Sequence, residues 1–536
     1  MSTTSQDVGR AHQEAPRGER NRDGAHALAI DLGTGGPKVG LVSLTGELAW
    51  HAFTPVATRL SSDGGATQDA DEWWEAIIAL TRDALAAGVV AAEAVVAVSI
   101  TGQYASTVAV DGTGAPVDDA MLWMDTRGRP HARKRFGGRA AGYDPRAIAA
   151  WVRRSGGAPS LNGGDPIGQR LYLQAERPDV VGRARWMLEP IDQLTMRFTG
   201  VATATPASMA TAWLIDTRNP SRYAYDQNLI KRSGVDAHQL PPLGRSNRHV
   251  GRVLPSVARK LGLVDGVRVV AALPDLHTGA LGSGAVRRHQ AHLAISTSSW
   301  ISAPVGAKKT DIVHQIATVP GIGADDYLVI DNHEVGGLAL SWFRDNLWRH
   351  GAEMPGYDEI TEAAATVPAG SGNVLFTPWL NGERSPIDDA RARGGFHNLS
   401  LTTGRAELAR AVLEGVAYNS RWLHEAVEKF TSTTLDPIRI IGGGAQSDLW
   451  CQIHADVMDR TIERPVDPMH ANLRGAGLAA GVAAGRIAVG EVSELVPLER
   501  TFTPDPTTRA TYDRLFGQFP KRYHADKAMF RRLNRR

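Results

Sequence analysis

The chain has 536 residues, 43% of them hydrophobic and 22% charged, with a formal net charge of +2 and a single cysteine, Cys451. That length asks for two domains rather than one core, and the near-balanced charge gives no ground for a nucleic-acid or membrane-surface partner. One cysteine excludes an internal disulfide and fits a cytoplasmic protein, and no apolar run is long enough to span a membrane.

Residues 1–26 are polar and lack the apolar core of a signal peptide, which predicts a disordered N-terminal tail. The first structured stretch, "AIDLGTGGPKVGLVSLTGELAW" from Ala29, is an apolar run ending on Asp31 and a loop of Gly33, Thr34, Gly35 and Gly36. Lys38 and a second alternating run follow. By themselves these residues fit either a plain hairpin, whose turn needs glycine, or a hairpin that presents Asp31 to a ligand. Neither the dinucleotide nor the P-loop pattern is present. Lys38 reads equally as a strand-end lysine or as a charge facing an anion. In "TQDADEWWEAI", Trp73 and Trp74 read as packing residues. "VVAVSITGQYASTVAVD" reads as a buried strand, a turn holding Gln103 and Tyr104, and a second strand; Trp123 and Arg127 follow in "LWMDTR". "VVAALPDLHTGALGSGAV" places Asp275 and Leu276 after an apolar strand, where a turn aspartate following Pro274 is the plain alternative.

From Ala291, "AHLAISTSSWISAPVG" echoes "AHALAIDLGTGGPKVG" half a chain earlier, with Ser296, Thr297 and Ser298 in the loop. Two copies at that spacing predict a duplicated architecture, one copy per lobe. "ELARAVLEGVAYNSRWLHEAVEKF" repeats apolar residues at helical spacing, and Gly415 in its middle predicts close packing against a neighbour. "PIRIIGGGAQSDLWCQIHADVMD" predicts a strand, a turn of Gly442, Gly443 and Gly444, then Ala445 and a helix starting near Ser447, an edge suited to an anion or nucleotide.

Taken together and in this order, these segments resemble the FGGY carbohydrate kinases of the actin-like ATPase superfamily, from about Ala27 to the C-terminus. The most specific stretch is "GGFHNLSLTTGRAELARAVLEGVAYNSR", which is similar to the family's C-terminal signature; "IIGGGAQS" looks like its adenosine motif, and "FTPWLNGERSP" like the segment before the signature. "TQDADEWWEAI" and "GQYASTVAVDGTGAPVDDAMLWMDTR" are most similar to the xylulokinase branch. The resemblance implies an α/β fold of two actin-like (ribonuclease H-like) lobes with the active site in the cleft: residues 27–286 as a sugar lobe and 287–536 as a nucleotide lobe. It implies ATP and Mg²⁺, with Asp31 on the metal and Asp275 as catalytic base. Gly33, Thr34, Lys38, Ser296, Thr297 and Ser298 would meet phosphates. Gly442, Gly443, Gly444, Ala445 and Ser447 would meet the adenosine. Gln103, Tyr104, Trp123, Asp275 and Leu276 would line the sugar site.

The chain departs from the xylulokinase pattern at Tyr104 and Ala105, where Met-His is usual, at Leu276, where Asn is usual, and at Ser296, where Gly is usual. The reaction implied is phosphorylation of a terminal hydroxyl of a ketopentose or related polyol. The lost hydrogen-bonding groups leave another ketose, a tetritol or glycerol as the alternative substrate. Retention of Asp31, Thr34 and Asp275 argues against a sugar-binding protein without turnover. A homodimer is the default assembly for such an enzyme.

Overall fold

A computed structural model describes residues 24–140, 142–323, 325–349, 351 and 354–534. Most of the expected tail, residues 1–23, lies outside the described residues, and its last residue, His26, already opens the first strand.

The first half builds a mixed sheet. Its elements are β1 (His26–Gly33), β2 (Gly36–Ser43), β3 (Leu48–Phe53), α1 (Ala70–Ala86) and β4 (Val95–Gly102). After two helices that matter below, α2 (Pro166–Glu176) and α3 (Pro190–Thr199), come β5 (His249–Arg252), β6 (Arg268–Val270), β7 (Leu273–Pro274) and α4 (Asp275–Ser283). The strand order is β5-β6-β4-β1-β2-β3, with β7 extending the β6 side of β4. β1 pairs antiparallel with β2 and parallel with β4. It is buried along nearly its whole length, as the apolar run "HALAI" requires of a central strand. α1 is capped by Asp69, whose side chain accepts from Asp71 N–H, and it turns Trp73, Trp74, Ile77, Ile78 and Ala84 inward at helical spacing. Trp73 and Trp74 are core residues, at 0% and 5% exposure.

The second half repeats the plan. β8 (Ala291–Ile295) and β9 (Ser299–Ser302) form the second hairpin; α5 (Arg405–Thr431), β10 (Ile438–Ile441), α6 (Asp448–Met458), β11 (Ile462–Pro465), α7 (Ala471–Ala483) and β12 (Leu498–Phe502) follow. The order is β9-β8-β10-β11-β12. As in the first sheet, the hairpin's first strand runs parallel to the next long strand, β10. The echo between Ala25 and Ala291 therefore marks equivalent hairpins in two α/β lobes. α5 is buried on nearly every side from Ala409 to Ser420. A Cβ on Gly415 would stand 2.3 Å from the Phe376 carbonyl oxygen, which is why glycine is tolerated in mid-helix there.

Two helices cross between the lobes. α7, from the second half, packs Leu473, Ala476 and Ala480 among Ala27, Ala29, Val42 and Ala97 of the first sheet. α4, from the first half, lies against α7 and touches β8 and β10. Glycines set their separation: a Cβ on Gly282 would lie 1.7 Å from the Ala471 carbonyl oxygen, and one on Gly475 would lie 2.0 Å from that of Thr278.

Candidate active site

Asp31 lies two residues before the end of β1, opposite Lys38 of β2 and beside Thr101 of β4. On the other side of β4, Leu273 and Pro274 pair with Thr101 and Gly102, so Asp275 emerges at the head of α4. Strands two positions apart in a sheet are about 10 Å distant, which brings the two carboxylates to the same edge with β4 between them. Thr101 and Thr278 hydroxyls, 2.6 Å apart, tie β4 to α4. Asp31 is 6% exposed and forms an ion pair with Lys38 Nζ at 3.3 Å. Lys38 is thus a partner of Asp31 as well as a charge at the loop.

Burial, and then the negative charge of Asp31, push the Asp275 carboxyl up to about 7, while Lys38 opposes them. A group held near neutrality is matched to general-base work at physiological pH. His277, two residues on, is fully buried with Nε2 2.8 Å from the Pro320 carbonyl oxygen, and burial pulls it down to about 4. It is a neutral structural residue.

The first loop differs in one respect from the expected division between sugar and nucleotide residues. Thr34 Oγ1 accepts from Trp123 Nε1 at 3.1 Å and donates to Gln103 Oε1 at 3.3 Å. The hydroxyl expected at the phosphates therefore joins the two residues expected at the sugar. Gln68, which no local motif marks, donates to the Thr34 carbonyl at 2.7 Å and is itself held by Trp73 Nε1 at 3.0 Å. Gln103 Nε2 is buried with no hydrogen-bond partner among the described residues. The loop's need for glycine falls on Gly36, at φ +132°, whose Cβ would meet the Thr54 carbonyl oxygen at 2.2 Å; Gly33 has no such crowding.

Tyr104 is partly exposed. Burial, Asp275 and Glu189 all push its phenol well above the ordinary range, and Arg384 opposes them. Leu276 differs from expectation. It is 3% exposed and belongs to an apolar cluster with Ala207, Leu273, Val319 and Leu328, because the first turn of α4 directs it inward. It does not stand open to the cleft as a sugar-lining side chain. Arg127 is bound to Asp125 at 2.6 Å and lies over the Tyr172 ring. Arg384, in the "NGERSP" segment, pairs with Glu334 at 2.9 Å. Its field reaches Tyr104 and Asp165 of the first half. Nothing local in the sequence marks a cation that acts across the cleft.

On the other lobe, Ser296 and Thr297 are exposed at the hairpin tip and Ser298 is half-buried. Carbonyls of Ser296 and Thr297 accept from Gly337 N–H at 2.6 Å and Gly336 N–H at 2.9 Å, and the Ser296 hydroxyl lies beside Gly442, 3.0 Å from where its Cβ would stand. Gly442, at φ +94°, abuts the Ile295 carbonyl, so the glycine turn is seated against this hairpin. Gly443 is exposed, and a Cβ there would meet only the Met469 methyl, at 3.9 Å. Ala445 and Ser447 have structural roles instead. Ala445 is fully buried, and the Ser447 hydroxyl caps α6 by accepting from Trp450 N–H at 3.3 Å.

Asp31 and Asp275 offer only oxygen donors, which suits a hard divalent cation. Among the described residues no group of three metal-ligating side chains is assembled. The residues fit an ion that arrives on phosphate oxygens better than one held in a protein cage. No helix among the described residues is long and apolar enough to cross a membrane.

Comparison with known proteins agrees with this geometry. The FGGY family of carbohydrate kinases matches through its N-terminal domain at residues 26–282 and its C-terminal domain at residues 295–484. The chain is 26% identical to a xylulose kinase of Staphylococcus epidermidis, over 94% of this chain and 97% of that one. It is 27% identical to a xylulose kinase of Escherichia coli, over 90% and 96% of the two chains. The structure of a ligand-bound xylulose kinase from Lactobacillus acidophilus superposes with a TM-score of 0.82 at 22% identity, covering 94% of this chain and 99% of that one. With two duplicated α/β lobes and both family domains in place, the chain belongs to the FGGY family of carbohydrate kinases.

Proposed function

We propose that this kinase transfers the γ-phosphoryl group of ATP to a terminal hydroxyl of a ketopentose or related polyol, in the cytoplasm, with Asp275 as base. The observation that carries the reading is the Asp275 carboxyl, held up to about 7 at the head of α4 and set at the sheet edge that Gln103, Tyr104 and Thr34 share. Asp275 takes the proton of the substrate hydroxyl as its oxygen bonds to the γ-phosphorus, and the bond from that phosphorus to the ADP oxygen breaks. Gln103 Nε2, buried and unpartnered, supplies a donor to a sugar hydroxyl; Trp123 and Thr34 fix its amide. Asp31 would hold Mg²⁺ through water, and the ion would offset phosphate charge. The exposed Ser296–Ser298 tip and the Gly442–Gly444 turn receive the nucleotide from the other side. Division into a sugar lobe, 27–286, and a nucleotide lobe, 287–536, is supported by sheet membership, since among the described residues no sheet joins a strand up to Pro274 with one from Ala291 onward.

With Leu276 packed inward and Ser296 on the nucleotide side, the departure from the xylulokinase pattern at the sugar rests on Tyr104 and Ala105. ADP release across D-xylulose, D-ribulose, L-xylulose, xylitol, erythritol and glycerol tests the reading. D-xylulose should be a modest substrate or be matched within a hundredfold by another compound. A preference of a hundredfold or more for D-xylulose would show that Tyr104 does not set specificity. Release with none of them would overturn the proposed substrate class.

A further inference from the structure

The turn that carries Tyr104 holds a strained residue. Ala105 has φ +60°, in the left-handed region that a residue with a Cβ seldom adopts. Such a conformation persists only where the surroundings impose it. Here both polar ends of one peptide unit are gripped. The Ala105 carbonyl accepts from Gln169 Nε2 at 3.2 Å, and the Ser106 N–H of the same unit donates to Glu189 Oε2 at 3.0 Å. Gln169 lies in α2 and Glu189 at the N-cap of α3, so two helices fix the plane from different directions. Both side chains are 0% exposed. Gln169 is anchored by a second bond, to the Leu122 carbonyl at 2.9 Å. Glu189 is at a helix N-cap and yet caps nothing, its carboxyl being turned to a residue 83 positions earlier in the chain. The arrangement carries a cost, since Glu189 Oε1 and Gln169 Oε1 are buried with no hydrogen-bond partner among the described residues.

We infer that Glu189 and Gln169 are positioning residues that lock the Ala105–Ser106 peptide in its left-handed setting, aim Tyr104 into the cleft, and so set sugar selectivity. This rests on the reading above that Tyr104 lines the sugar site. Burial pushes the Glu189 carboxyl well above the ordinary range, and its amide isostere keeps an oxygen where Oε2 accepts from Ser106 N–H.

The test uses the full-length enzyme, kinetics across the same substrate panel, the KM for ATP, and thermal melting. Glu189→Leu should lower kcat/KM for the best sugar at least tenfold, mainly through KM, and flatten the selectivity ratios, with the ATP KM within twofold. Glu189→Gln should retain most of that selectivity. Adding Ala105→Gly to Glu189→Leu should restore a large part of the loss, because glycine takes the same φ without imposed strain. Gln169→Met removes only the donor to the carbonyls and should show the same selectivity loss, so the proposal stays testable should Glu189→Leu fail to fold. Unchanged selectivity ratios in both Glu189→Leu and Gln169→Met would overturn it, as would a Glu189→Gln variant as damaged as Glu189→Leu, or no rescue by Ala105→Gly. Tyr104→Ala separates the two claims. If it changes selectivity while the clamp variants do not, the clamp falls and the Tyr104 reading stands. If the clamp variants change selectivity while Tyr104→Ala does not, the peptide is positioned for another group and the Tyr104 reading falls.

Discussion

Replacing Asp275 by asparagine should make the enzyme inactive and, above neutral pH, more stable. The folded protein holds this carboxyl at about 7 against an ordinary 3.8, through burial and the charge of Asp31. Because the folded value is raised, the folded state keeps a proton that the unfolded chain has released, and stability falls as pH climbs through this window. At about 1.4 kcal/mol per pH unit, ionised Asp275 costs about 4 kcal/mol at pH 8 and less than half of that at pH 5. Solvent at the partly exposed side chain reduces the difference between the two conditions to about 2 kcal/mol. Asparagine removes the ionisation while its Oδ1 can still accept from Leu276 N–H, the bond that Asp275 makes at 2.8 Å. Melting of wild type and Asp275→Asn at both pH values isolates the effect, since contributions independent of pH cancel. The variant's gain in Tm should be roughly 2–4 °C larger at pH 8 than at pH 5, the lower figure for the whole chain melting together and the upper for one lobe. Turnover on the best sugar should fall about 10²–10⁴-fold, as for loss of a general base. An equal Tm gain at both pH values would refute the claim that the site holds this proton, and near-normal turnover would refute its role as base.

Three further outcomes follow from the same geometry. Lys38 holds the Asp275 carboxyl down, so Lys38→Met should move the acid limb of the kcat/KM profile to higher pH; a limb that stays put would remove Lys38 from the field at the base. Thr34→Val leaves Trp123 Nε1 without its acceptor and Gln103 Oε1 without its donor, at about 1–3 kcal/mol for an unpaired buried group. The KM for sugar should rise about five- to hundredfold, and an unchanged value would separate this cluster from the sugar. Gly415→Ala drives a methyl to 2.3 Å from the Phe376 carbonyl oxygen and should cost about 1–3 kcal/mol or more by overpacking, read as a lower urea midpoint; an unshifted midpoint would mean that α5 can move aside.

The parts legible in the sequence are those whose signals are local. Asp31 and the glycine loop form the hairpin their spacing requires, Ala291 opens its counterpart, and the run around Gly415 is a helix with a crowded face. Contacts made across long stretches of chain were not legible. Thr34 meets Gln103 69 residues on and Trp123 89 residues on, and no periodicity links them. The inward packing of Leu276 among Ala207, Val319 and Leu328 is likewise set by residues distant in the chain. Gln68, Arg384 and the strain at Ala105 depend on tertiary neighbours that a single sequence does not display.

The glycine-faced contact of α4 with α7 bears on how the lobes can move. Any rotation of one lobe on the other about this contact displaces atoms in proportion to their distance from it. α4 is nine residues long, about 13 Å at 1.5 Å per residue, and Asp275 is its first residue. The base therefore sits close to the axle, where a turn of ten degrees moves it by about 2 Å at most over that length. The Ser296–Ser298 tip and the Gly442 turn belong to the lobe that swings. On the proposed assignment of Asp275 as base and of the Ser296–Ser298 tip and Gly442 turn to the nucleotide, the proton acceptor would ride on the pivot and the nucleotide on the lever, so closure would bring phosphate to the sugar hydroxyl with the acceptor already aligned.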